Sequence, residues 1–168
     1  MDGVLVDSQL EELIARGALR AEGGLAEDQV QPNSLDLRIG PRAYRVRASF
    51  LPSRDAVRAR IEGGLSLYEV DLRPGAILER NAIYLIPLRE SLRLPPAVAG
   101  KANPKSSTGR LDVFCRAVTD HAPGYDEIAA GYAGEVFLEV VPRSFSVRLR
   151  EGDRLSQLRL YEGDPVLS

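Results

Sequence analysis

From Ser34 onward the chain is cut into short stretches rich in β-branched and aromatic residues, each bounded by Gly, Pro, Asn or Asp, and that spacing leaves no room for long helices. The stretches are "SLDLRIG", "YRVRASF", "AIYLIPL", "VFCRAVT", "EVFLEVV", "FSVRLR" and "LSQLRLY", and many alternate apolar with polar residues. They predict a mainly β architecture, a barrel or sandwich of many short strands. "REGDRL" (150–155) reads as a hairpin turn between the last two strands. The one convincing helix, "DSQLEELIARGAL", lies ahead of them at the N-terminal edge. Asp7 or Ser8 is placed to cap it, Leu10, Leu13 and Ile14 line one face, and Gly17 stops it. Residues 53–63 carry a weaker helical pattern. With no repeat and no linker-like tract, residues 1–168 are expected to form a single domain.

Composition narrows the function classes. The net charge of −2 offers no electrostatic match to long nucleic acid, so an anionic ligand needs a locally positive pocket. One cysteine, Cys115, excludes an internal disulfide, and with one histidine, His121, the usual His/Cys zinc site has no ligand set. Cys115 reads as a small apolar strand residue and His121 as a loop residue. No apolar run approaches the ~20 residues of a membrane-spanning helix and no signal-peptide pattern opens the chain, so the expectation is a soluble cytoplasmic protein.

Four stretches have the makings of a site. In "NPKSSTGRLDV" (103–113), Asn103-Pro104 favours a turn and Gly109 permits a tight backbone. Lys105 and Arg110 can both face an anion, and Ser106 and Ser107 supply donors. The alternative is a solvated connector. In "AGYAGEVFLEV" (130–140), Glu139 shares a face with Glu135 and Phe137. It is either a solvent-facing glutamate or a buried carboxylate in apolar surroundings, suited to general acid–base work. In "QPNSLDLRIG" (31–40), Asp36 and Arg38 project from one face and are expected to pair with each other. "GDRLSQLRL" places Ser156 and Gln157 on a strand after a turn.

In this order, "QPNSLDLRIG", "IPLRESLRLP", "KSSTGRLDV", "VTDH", "GYAGEVFLEV" and "GDRLSQLRLY" resemble the successive motifs of the dCTP deaminase and dUTPase superfamily, over residues 8–162. Pro-x-Ser-x-Asp-Leu-Arg-x-Gly, Ser-Ser-x-x-Arg-Leu, Val-Thr and Leu-Glu resemble the deaminase branch. "ASFLPSR" and "NPKSSTGRLDVF" further resemble the long bacterial form, in which two such domains lie in tandem. The resemblance implies a distorted jelly-roll-like β-barrel, a trimer with sites between subunits, and hydrolytic deamination of dCTP to dUTP in pyrimidine deoxynucleotide synthesis. It implies no zinc, with Mg2+ only as the partner of the triphosphate.

The resemblance also implies roles. Glu139 stands at the catalytic glutamate, and Ser106 and Arg110 at the residues that orient and stabilise the reacting water and base. Lys105 and Ser107 stand at phosphate contacts, and the backbone of Val118, Thr119 and Asp120 at the strand edge that reads cytosine. Gln157 stands near the triphosphate, and Tyr132 at the family's Trp or Tyr. The polar loop is then a cradle rather than a connector.

Some positions depart from the pattern. Ala129 stands where both branches place an aspartate, with Asp126 and Glu127 of the preceding insertion as substitutes. Asp120 replaces a small residue, and the basic tail of single-domain deaminases has no counterpart in "YEGDPVLS". A catalytically impaired, nucleotide-binding or assembly domain is therefore the alternative to an active deaminase. A dUTPase stands third, weakened by Ala129 and by the lack of that branch's tyrosine-bearing motif.

Overall fold

Apolar residues spaced two apart along a strand must share a face, and here those faces gather into one core between two large sheets. The computed structural model describes residues 3–49, 55–122 and 124–163. The chain begins with β1 (Gly3–Val4), α1 (Asp7–Ala15), β2 (Leu19–Ala21), β3 (Leu35–Leu37) and β4 (Arg42–Val46). Next come α2 (Val57–Arg60), which runs into a wider turn at Ile61–Leu65, then β5 (Ser66–Asp71), β6 (Ala76–Leu78), β7 (Tyr84–Arg93) and β8 (Val98–Pro104). The last part holds α3 (Ser106–Arg110), β9 (Val113–Thr119), β10 (Glu127–Ile128), β11 (Ala133–Pro142), β12 (Val147–Leu149) and β13 (Ser156–Glu162).

One sheet has the order β1-β13-β8-β10, with β3 also on β13; the other runs β5-β4-β7-β11-β9, with β2 on β7; β6 and β12 form a separate ribbon. Leu158 and Leu160 from the first sheet, Ile86, Leu138 and Val140 from the second and Leu78 and Leu149 from the ribbon meet in the same core. Leu10 and Leu13 of α1 seal its N-terminal edge. The result is the expected mainly β, distorted jelly-roll-like barrel with an N-terminal helix. A smaller cluster lies on the outer face of the second sheet, where Val57 and Ile61 cover Val118, Phe137, Leu85 and Tyr44. Arg58 fixes that cover by a two-pronged bond to Glu135 (2.9 Å on each side) and a third to the Tyr44 hydroxyl at 3.1 Å.

Several local expectations need correction. Asp7 is the first helical residue of α1, not its cap. Val6 holds the cap position, its N–H donating to Gln9 Oε1 at 2.9 Å. Asn103 and Pro104 end β8 instead of turning before it. Gly109 has no positive φ and nothing within 4 Å of a Cβ placed there, so its helical turn does not require glycine. "REGDRL" is a turn but not a hairpin: β12 pairs with β6, whereas β13 pairs with β1, β3 and β8, so the turn hands the chain from ribbon to sheet. The helix expected from 53 to 63 is helical from Val57, and its start lies outside the described residues, as does most of "ASFLPSR".

Asp36 and Arg38 do not pair with each other. Arg38 turns to Glu90, which takes the Arg38 N–H at 2.5 Å and its Nε at 2.9 Å, while Arg38 Nη2 donates to Gly24 O. A bulge in β7 brings Glu90 there: Leu88, Arg89 and Glu90 stand opposite the single Val136 of β11. Gly40 keeps this crossing tight, since a Cβ on it would lie 2.5 Å from Pro87 O.

Candidate functional site

The polar loop leaves the first sheet at Asn103 and Pro104, the end of β8, and continues into α3. Asp36 of β3, Gln157 of β13 and Asn103 of β8 stand side by side in register, on one face. Lys105 follows Asn103 two residues on, and its Nζ reaches Asp36 Oδ2 at 2.6 Å. Arg154 approaches the same oxygen at 3.6 Å and holds Asp28 at 2.7 Å. Asp36 is 2% exposed, and its Oδ1 has no hydrogen-bond partner among the described residues. Buried carboxylates need such cations, so β3 is pinned against the loop by charge. The turn of α3 is anchored from below by Thr108, which donates to Leu155 O at 2.8 Å, leaving Ser106, Ser107 and Arg110 exposed. The Arg110 side chain is exposed and makes no hydrogen bond or ion pair with a described residue.

Glu139 lies on the second sheet. Strand alternation sends Val136, Leu138 and Val140 into the main core and turns Phe137, Glu139 and Val141 to the other face. Glu139 is only 3% exposed, which decides between the two sequence readings: it is a buried carboxylate. Its surroundings are not simply apolar. Arg116 Nε donates to Glu139 Oε1 at 3.0 Å, and Ser49 Oγ donates to the same oxygen at 3.1 Å. Glu139 and Arg116 line a cavity of about 390 Å3 together with Ser49, Asn81, Phe114 and Arg143. Among the described residues that line this cavity, none belongs to α3.

Val118 and Thr119 are buried at the end of β9, the edge strand of its sheet. Asp120 accepts the Val57 N–H at 2.8 Å, tying α2 to the strand end, and donates its own N–H to the Tyr132 hydroxyl at 3.2 Å. Burial pushes the Tyr132 phenol up to about 12, so it stays a neutral donor, to Glu135 O. Ala129 is exposed. The insertion brings Asp126 instead to the open edge of β9, where its N–H donates to Ala117 O at 2.9 Å and its Oδ1 accepts the Ala117 N–H at 2.7 Å. Glu127 is exposed on β10. Cys115 is buried, and burial pushes its thiol up to about 12; His121 is an exposed loop residue at φ 52°.

Arg116, Ser49 and Tyr125 escaped sequence reasoning. Alternation put Phe114, Arg116 and Val118 on one face, but a lone strand arginine reads as solvent-facing until register gives it a partner.

Asp126 gives a pH prediction. Burial, its largest influence, raises the carboxyl above the ordinary value, outweighing the Ala117 N–H and Arg116. A carboxyl raised on folding costs stability as pH rises from the unfolded value through the folded one. D126N keeps the acceptor and tolerates φ 62°. Its Tm should exceed the parent's at pH 7, and the gap should close below about pH 4, in melts followed by circular dichroism across that range. A gap that widens in acid would reverse the assignment.

Known proteins resemble the chain along nearly its whole length. Residues 1–164 match the family model described as the 2′-deoxycytidine 5′-triphosphate deaminase N-terminal domain. The chain is 32% identical over 160 residues to the dCTP deaminase of Aeropyrum pernix, covering 95% of this chain and 83% of that protein. It is 29% identical over 168 residues to the dCTP deaminase of Ignicoccus hospitalis, covering 98% and 86%. The crystal structure of 2′-deoxycytidine 5′-triphosphate deaminase from Agrobacterium tumefaciens superposes with a TM-score of 0.93 at 50% identity over 96% of this chain. This chain spans 49% of that one.

Proposed function

The chain belongs to the 2′-deoxycytidine 5′-triphosphate deaminase family, and from that premise we propose that it hydrolyses dCTP to dUTP and ammonia. One observation carries the reading: Glu139, at the position of the family's catalytic glutamate, is a buried carboxylate that faces a cavity. In this reading Glu139 accepts a proton from water as the water oxygen bonds to C4. It returns a proton to the amino nitrogen as the C4–N bond breaks. Activation of the water rests with this carboxylate and not with zinc.

Ser106 and Arg110 take the reacting water and base, with Arg110 supplying charge stabilisation. Lys105, Ser107 and Gln157 take the triphosphate, which brings Mg2+ with it. The backbone at Val118, Thr119 and Asp120 reads the cytosine edge beside Tyr132. The exposure of Ser106, Ser107 and Arg110 supports this, as does the register of Gln157 opposite Asn103, two residues before Lys105. The described lining of the Glu139 cavity includes no residue of α3, and the reading completes the site between copies, in a homotrimer or larger pseudo-threefold assembly. It assigns the protein to the cytoplasm and to supply of dUTP for pyrimidine deoxynucleotide synthesis. Among the described residues no helix is long and apolar enough to cross a membrane.

Incubation with Mg2+ and dCTP, with products separated by anion exchange and ammonia measured enzymatically, tests the reading. Equimolar dUTP and ammonia are expected. Accumulation of dUMP would add a pyrophosphatase step, and unchanged dCTP from folded protein would overturn the reading in favour of a binding or assembly domain.

A further inference from the structure

Arg116 belongs to none of the residues assigned above from the family motifs, yet it stands directly opposite Glu139 in the β9–β11 ladder. Two rings hold its guanidinium. The Tyr125 centroid lies 3.5 Å from Cζ and the Phe114 centroid 5.2 Å. Tyr125, from the insertion that precedes Ala129, stacks its ring on this arginine. The way Arg116 meets its carboxylate differs from that of Arg58 and Arg38. Arg58 grips both oxygens of Glu135, and Arg38 binds both oxygens of Glu90. Arg116 and Ser49 both donate to Oε1 of Glu139, and no described donor reaches Oε2. Glu139 is 4% exposed along its side chain, and it lines the cavity described above.

We propose that Arg116, clamped by Tyr125 and Phe114, is the positioning residue of Glu139: it pins Oε1 and leaves Oε2 aimed at the water to be activated. The inference rests on the deaminase reading. A general base must present one oxygen in a fixed direction, because a carboxylate free to rotate spends most of its time misaligned. The proton passes from water to Oε2 and on to the leaving nitrogen.

The test is steady-state ammonia release from dCTP by R116A and R116K, with Tm recorded on the same samples. R116A should lose ~10²-fold in kcat, with KM within ~3-fold of the parent, as misplacement of a reacting group predicts. Guanidinium ion at millimolar concentration should restore part of the R116A rate and leave the parent unchanged, a response that loss of packing alone would not give. R116K keeps the charge without the fixed Nε direction, and its kcat should fall ~10-fold. Folded R116A with kcat within twofold of the parent, or a change confined to KM, overturns the inference while the parent's activity upholds the deaminase reading. If R116A fails to fold, unchanged kcat in R116K overturns it. A folded parent that releases no ammonia removes the deaminase reading, and this inference with it.

Discussion

Replacing Glu139 by glutamine should lower ammonia release from dCTP by at least ~10³-fold while dCTP still binds. Glutamine fills the same volume, and its carbonyl oxygen can still accept from Arg116 Nε and Ser49 Oγ, so the cavity keeps its shape. What disappears is the capacity to take a proton from water and return it to the leaving nitrogen. In the proposed reading binding draws on other groups, Lys105 and Ser107 at α3 and Gln157 on β13, so calorimetric titration with dCTP should give a Kd within a few-fold of the parent's. Arg116 loses its counter-charge in E139Q, so a lower Tm is also expected, and folded protein at assay temperature is the control. Folded E139Q with activity within tenfold of the parent would remove Glu139 from the chemistry.

The second large effect concerns stability. E90A should destabilise the fold by roughly 3–5 kcal/mol, seen as a Tm lower by roughly 8–15 °C. Glu90 is 1% exposed and holds both the backbone N–H and the Nε of Arg38, a residue itself 9% exposed. Truncating the carboxylate leaves a largely buried guanidinium without its counter-charge and a buried N–H without its acceptor. The double variant R38M/E90L removes both charges and should recover part of the loss, which separates an unpaired charge from lost packing. D36N should leave the pair intact, because Arg38 takes no bond from Asp36. An E90A protein within about 1 kcal/mol of the parent by urea unfolding would mean that Arg38 finds other partners.

Much of the fold was legible because alternation is local. "EVFLEVV" had to put Val136 and Leu138 on one face and Phe137 and Glu139 on the other, whatever the strand paired with, and the core bears that out. The same local logic located α1 and its buried Leu10 and Leu13. The order of the motifs was enough to point to the family that residues 1–164 match. The sequence did not disclose partners. Arg38 was expected beside Asp36, two residues away, and found Glu90 instead, 52 residues on. Lys105 met Asp36 across 69 residues, and Arg116 met Glu139 across 23.

These pairings follow from register, and register is a property of whole sheets. A strand's own residues say which side chains share a face, but the neighbour opposite each one depends on bulges such as that at Leu88–Glu90 and on which strands adjoin. The turn at 150–155 shows the same division, since its residues fix a turn while the sheets decide that it joins no hairpin. By itself, then, the sequence determined a β-rich chain, the faces of its strands and the family it resembles. Only the tertiary structure decided which cation stands against each buried carboxylate, because compensating a buried charge requires a partner brought close by packing, however far away it lies in the chain.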